Sequence, residues 1–141
     1  MGAFRLTRTY HFSAGHRLAR AEFSELENAR MFGQCHRQHG HNYAVEVTVE
    51  GTLDPATGMS ADLGEVDAAV QKVLLERVDH YDLSSTVPEL DGVISTGENL
   101  ARAFWDWLEP VLAAGSLRRV AVVETENNAF EYFGAGDGVA R

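Results

Sequence analysis

One stretch constrains this chain more than any other. Tyr43, Val45, Val47 and Val49 alternate with Asn42, Ala44, Glu46, Thr48 and Glu50, the clearest two-residue period in the sequence. That pattern predicts a β-strand with one apolar and one polar face. His39 and His41 lead directly into it. Side chains two apart on a strand project to the same face. Two imidazoles can therefore grip one ion along one side, and Gly40 between them eases close approach.

The sequence is uneven in the same region. Of six histidines in 141 residues, four fall between His16 and His41, together with the only cysteine. The run Cys35-His36-Arg37-Gln38-His39-Gly40-His41 is crowded with metal-binding and acid–base groups. Composition gives no reason for that crowding, since 45% apolar and 23% charged residues is an ordinary globular balance. The length suits one domain, 1–141, with a core over about 4–133 and a Gly-rich tail, 134–141. Lys plus Arg number 12 against 21 Asp plus Glu, a formal charge of −9. Such a chain repels polyanions, which excludes a nucleic-acid coat; a small phosphorylated ligand needs basic groups clustered locally. One cysteine excludes an intramolecular disulfide framework. No apolar run approaches the ~18 residues of a membrane span, and the N-terminus lacks a signal-peptide layout. The expectation is a soluble, cytoplasmic protein.

Phe4, Leu6, Tyr10 and Phe12 share one parity, interrupted by Arg8, and predict a strand over 4–12. A weak helical pattern covers 22–30. Residues 54–58, Asp-Pro-Ala-Thr-Gly, read as a turn. Asp62 and Glu65 open a helix carrying Leu63, Val66, Val70, Val73 and Leu74, to about residue 77. Ser95 and Glu98 open another, with Leu100, Ala103, Phe104, Trp107, Leu108 and Val111 as its stripe and Gly115 as its C-cap. Strands follow over 117–125 and 129–133, joined by a turn. The order ββααββ predicts an α+β fold: a four-stranded antiparallel sheet with two helices on one face. The other face is left for solvent or a partner, and the many apolar strand positions favour an oligomer.

His16 follows the first strand and can approach His39 and His41 if the two strands pair. Three neutral imidazoles suit Zn²⁺ and leave a fourth position open, where a substrate oxygen can be polarised. The competing arrangement is a closed structural site in which the Cys35 thiolate is the fourth ligand. If unligated, Cys35 is a general base or nucleophile, because a metal, Arg37 or His36 nearby favours the thiolate. His36 faces substrate or solvent, and His11 packs within its strand. Asp79-His80 follows the first long helix. A carboxylate there can orient the imidazole, unless His80 merely sits near the helix dipole. Glu124 shares parity with Val120 and Val122. It either pairs with a cation or the N–H edge of a heterocycle, or is a solvated edge-strand residue.

Taken together, these residues resemble the 6-pyruvoyltetrahydropterin synthase / 6-carboxytetrahydropterin synthase (QueD) family. The resemblance rests on residues 12–18 (Phe-Ser-Ala-Gly-His-Arg-Leu), 35–43, 54–59, Asp79-His80, 95–100 (Ser-Thr-Gly-Glu-Asn-Leu) and 124–128 (Glu-Thr-Glu-Asn-Asn). It implies a tunnelling fold (T-fold) of ββααββ subunits assembled as a homohexamer, a dimer of trimers with active sites between subunits. It implies zinc on His16, His39 and His41, Cys35 as catalytic thiol, Asp79 and His80 as a second acid–base pair, Glu124 as the pterin anchor and Thr96 as a pterin-contacting hydroxyl. Gly97 stands where many relatives carry a second hydroxyl. The implied substrate is 7,8-dihydroneopterin triphosphate, and Arg17, Arg37 and His36 are the candidates for its phosphates on local charge. The C-x3-H-G-H spacing resembles the branch forming 6-carboxy-5,6,7,8-tetrahydropterin, with loss of triphosphate and acetaldehyde, in queuosine and deazapurine synthesis. Residues 54–59 and 124–128 resemble the branch forming 6-pyruvoyl-tetrahydropterin. The expectation from spacing is the carboxy product, with the pyruvoyl product, or a non-catalytic metal-stabilised pterin- or purine-binding oligomer, as alternatives.

Overall fold

The computed structural model describes residues 2–136. Its frame is a four-stranded sheet in the order β1-β2-β3-β4: β1 is Ala3–His16, β2 His39–Thr52, β3 Leu117–Thr125 and β4 Asn128–Tyr132. Every neighbouring pair is antiparallel. Both predicted N-terminal strands are longer than their apolar alternation. Each extends into the histidines, so His16 lies within β1 rather than after it and pairs directly with His39. Arg8, which interrupts the β1 pattern, faces the helices and donates to Asp67 at 3.1 and 2.7 Å, while Tyr10 Oη donates to the same carboxylate at 2.6 Å. Burial and that bond push the Tyr10 phenol up to about 12.

The weakly patterned region forms α1, Glu25–Phe32, closed by a capping box between Ser24 and Glu27. It runs into a 3₁₀ turn, Gly33–His36. The first long helix is α2, Leu63–Val70, which continues through a wide turn, Gln71–Leu75, into α3, Glu76–Val78. Val66, Val70, Leu74 and Val78 are buried at four-residue spacing. That spacing exceeds the 3.6-residue period, and the wide turn absorbs the excess. Asp62 caps α2 as expected, accepting from the Glu65 amide.

The second long helix is α4, Gly97–Leu108, and its buried Leu100, Phe104 and Leu108 pack on the sheet. Two expectations are corrected here. The N-cap is Thr96, which accepts from Asn99 N, because Ser95 is turned inward. The helix stops at Leu108, not Gly115: Pro110 has no N–H to donate, and a 3₁₀ turn, Glu109–Val111, ends it.

The opposite sheet face is not an apolar surface awaiting cover. Thr7 meets Thr48 at 2.7 Å, Arg5 pairs with Glu50 at 3.0 Å, and Arg119 links Glu46 and Glu131. Gly134, at the start of the Gly-rich tail, is packed, since a Cβ there would stand 2.7 Å from the Trp105 ring. The tail from residue 137 lies outside the described residues. No helix among them is long and apolar enough to cross a membrane.

Candidate functional site

The pairing of His16 with His39 brings three imidazoles to the end of the β1–β2 ladder. One ligand atom from each of His16, His39 and His41 lies within 4.8 Å of the others. The ring centroids are 4.6, 4.9 and 5.1 Å apart. His16 Nδ1 lies 3.0 Å from the Ser95 carbonyl oxygen and 3.2 Å from its hydroxyl. His39 Nδ1 lies 2.6 Å from the Arg37 carbonyl oxygen. A carbonyl only accepts, so Nδ1 carries the hydrogen in both rings and Nε2 carries the lone pair that can coordinate an ion. Burial lowers the His16 pKa, with His39 adding to the effect; burial likewise lowers that of His41, against Glu124. Both favour the neutral, coordinating form. This donor set fits a divalent transition ion with an open coordination place.

Cys35 is not part of the set. It is a free, exposed thiol on the 3₁₀ turn, so neither the closed four-ligand site nor a buried packing cysteine is formed. Its carbonyl accepts from Leu18 N at 2.9 Å, which ties the turn to the end of β1. Glu124 joins the histidines: its Oε2 is 3.9 Å from the Nε2 of both His16 and His41. It lies on an interior strand and is only 17% exposed, so it is not an edge-strand solvated residue. Asn128 Nδ2 donates to its other oxygen at 3.3 Å.

Asp79 and His80 do meet. The chain turns at the helix exit, with His80 at a left-handed φ of 66°, a conformation costly for most residues. Asp79 Oδ1 lies 2.9 Å from His80 Nδ1 and accepts from Ser13 N at 3.0 Å; His80 N donates to the Ser13 carbonyl at 2.7 Å. The segment pairs with the outer edge of β1, and the His80 side chain is 82% exposed. It lines a cleft of about 390 Å³ with Ser13, Gly15, Gly40, His41 and Tyr81.

Two of the three predicted phosphate-binding residues converge, but on a carboxylate. Glu25 lies 3.2 Å from Arg17 Nη2 and 3.8 Å from His36 Nε2. Arg17 Nε is buried with no partner. Arg37 is exposed and has no ion pair among the described residues. The Thr96 oxygen caps α4 and leaves its own hydrogen free. Gly97 has no room for a side chain, since a Cβ there would stand 1.9 Å from the Phe130 ring.

Sequence reasoning did not single out Ser95, Tyr43, Glu25 or Asn128 as site residues. Tyr43 carries a signal, since it follows His41 at the same two-residue step. Its hydroxyl reaches to 3.4 Å from His16 Nε2. The others become site residues only through contacts distant in sequence or across a turn.

Comparison with known proteins identifies the family. The family model for 6-pyruvoyl tetrahydropterin synthase matches residues 5–135. The human 6-pyruvoyl tetrahydrobiopterin synthase is 43% identical over 131 residues, spanning 92% of this chain and 90% of the relative. The solved structure of the Caenorhabditis elegans 6-pyruvoyl tetrahydropterin synthase superposes with a TM-score of 0.89 at 36% identity, covering 96% of this chain and 98% of that one. The 6-carboxy-5,6,7,8-tetrahydropterin synthase of Aquifex aeolicus is more distant, 30% identical over 156 residues, with 90% of this chain and 96% of the relative covered. Similarity thus runs more strongly to the pyruvoyl-named relatives, against the branch expected from the Cys35–His39 spacing. That spacing is a property of an exposed turn, whose length can change without moving strand-borne histidines. This chain belongs to the 6-pyruvoyl tetrahydropterin synthase family, a family of tetrahydropterin-forming enzymes.

Proposed function

We propose that the protein is a zinc-dependent 6-pyruvoyl-tetrahydropterin synthase that converts 7,8-dihydroneopterin triphosphate to 6-pyruvoyl-tetrahydropterin with release of triphosphate. The observation that carries this reading is the convergence of three imidazoles, two with their Nδ1 hydrogens bound to carbonyls. The greater similarity to pyruvoyl-named relatives supports the product. His16, His39 and His41 hold the ion, which supplies Lewis acidity toward the substrate's side-chain hydroxyls.

In this reading Cys35, as thiolate, takes a proton from the substrate side chain, and His80, oriented by Asp79, gives or takes another. Glu124 accepts from the pterin N3–H and 2-amino group, a two-point contact that selects the ring. The Thr96 hydroxyl donates to the ring, and Arg17, His36 and Arg37 meet the phosphates. His80 projects into solvent while Cys35 sits on a separate turn. This supports completion of each site by a neighbouring copy in a homohexamer. An exposed free thiol suits the reducing cytoplasm.

The test is incubation of zinc-loaded protein with 7,8-dihydroneopterin triphosphate. Triphosphate release with a 6-pyruvoyl product is expected. Acetaldehyde release would assign the carboxy product instead, and no turnover would end the enzymatic reading. Cys35→Ala is expected to retain zinc and lose product formation.

A further inference from the structure

The Tyr43 side chain is 1% exposed and stacks on Phe12 with ring centroids 4.8 Å apart. Its hydroxyl hydrogen has one bonding partner among the described residues, His16 Nε2, at 3.4 Å. His16 Nδ1 is committed to Ser95, so Nε2 is the only lone pair that His16 can offer an ion. The Tyr43 hydrogen bond and a metal ion therefore cannot use that nitrogen together. A buried hydroxyl left without an acceptor is costly, and once displaced it must turn to another oxygen in the same space. Glu124 Oε2 lies beside the same nitrogens, 3.9 Å from His16 Nε2 and from His41 Nε2, and the open side of the histidine cluster is where a ligand oxygen would sit. Asn128 already holds the far oxygen of Glu124.

We infer that Tyr43 is an acceptor-switching residue: without metal its phenol occupies the His16 lone pair and weakens ion binding, and with metal bound it donates to an oxygen of the small molecule seated beside the histidines. The first half stands on geometry alone. The second half rests on the pterin triphosphate reading and adds to it a direct hydrogen-bond donor that reaches the substrate from the core side. Phenylalanine keeps the packing on Phe12 and removes only the hydroxyl, so Tyr43→Phe isolates the switch.

The experiment is calorimetric titration of metal-stripped wild type and Tyr43→Phe with Zn²⁺ alone at fixed neutral pH, followed by turnover of 7,8-dihydroneopterin triphosphate at equal zinc loading. One net hydrogen bond of about 0.5–1.5 kcal/mol converts to a roughly 2- to 10-fold change. Tyr43→Phe is expected to bind Zn²⁺ tighter by that factor and to turn over substrate more slowly by a factor of the same size. Equal or weaker zinc binding overturns the competition. Unchanged turnover overturns the donor role. Phe12→Leu, which loosens the ring stack but keeps the hydroxyl, is expected to leave zinc affinity at the wild-type value; if it tightens binding as Tyr43→Phe does, packing rather than the hydroxyl is responsible. Should wild type itself show no turnover, the pterin reading fails while the zinc titration still decides the first half.

Discussion

His16 Nδ1 donates to the Ser95 carbonyl oxygen at 3.0 Å, across a buried contact between β1 and the residue before the cap of α4. That bond selects the tautomer that presents Nε2 to an ion, and it makes the docking of α4 part of the metal centre. Because the carbonyl rather than the hydroxyl sets the tautomer, Ser95→Ala is expected to retain metal, with affinity within about tenfold of wild type. His39→Ala removes a ligand and is expected to lose metal on dialysis. Metal content by atomic emission distinguishes the two, and loss of metal in Ser95→Ala would assign the tautomer to the hydroxyl.

Stability of the metal-free protein should depend on pH in one direction. The His16 and His41 pKa values lie below the ordinary 6.5 in the folded state, chiefly through burial. Above 6.5 both folded and unfolded chains hold these imidazoles neutral, so their contribution is constant. As pH falls below 6.5 the unfolded chain takes up protons first, and stability declines until the folded-state values are passed. Urea midpoints measured from pH 8 downward should stay level and then drop. Saturating zinc should hold the plateau to lower pH, because metal competes with protons for the same nitrogens.

Glu25 occupies the space between Arg17 and His36 that an anionic ligand would need. Glu25→Gln removes the competing charge. Inorganic tripolyphosphate is expected to bind the variant several-fold tighter, by about 1 kcal/mol for a partly screened surface charge, with the gain shrinking as salt rises. Equal binding by isothermal titration would remove Arg17 and His36 from the phosphate site.

Gly97 and Phe130 form a size-matched pair. A Cβ at position 97 would stand 1.9 Å from the Phe130 ring, so Gly97→Ser is expected to destabilise the fold by roughly 1–3 kcal/mol. Adding Phe130→Val should recover most of that loss. Chemical denaturation of the single and double variants checks it, and no rescue would mean that the strain lies in the helix start itself.

Asp79 accepts from both Ser13 N and His80 Nδ1. Asp79→Asn weakens the orientation of His80 and cannot stabilise its cation. Turnover is expected to fall by about 10²–10⁴-fold with zinc content unchanged, since neither residue belongs to the histidine cluster. Retained turnover would exclude the pair from proton transfer.

Much of this architecture was legible in residue order. The alternation of Val45, Val47 and Val49 and the stripes of α2 and α4 are local periodicities, and they appear as one strand and two packed helices. Choices among equivalent local signals were not legible. Ser95 and Thr96 are adjacent hydroxyl residues, and either can cap a helix. Thr96 does so because Ser95 faces His16. Gly115 and Pro110 both signal a helix end, and the proline acts first. The Cys35–His39 spacing suggested the carboxy branch, yet the turn that carries it is exposed.

Residue order is enough to put His39 and His41 on one face, because residues two apart on a strand are related by the pleat of that strand alone. Their surroundings come from long-range packing. His16 meets Ser95 across 79 residues, and Glu124 and Tyr43 reach the same imidazoles through strand register. Register and helix docking minimise buried polar groups over the whole core at once, and no local pattern encodes that sum.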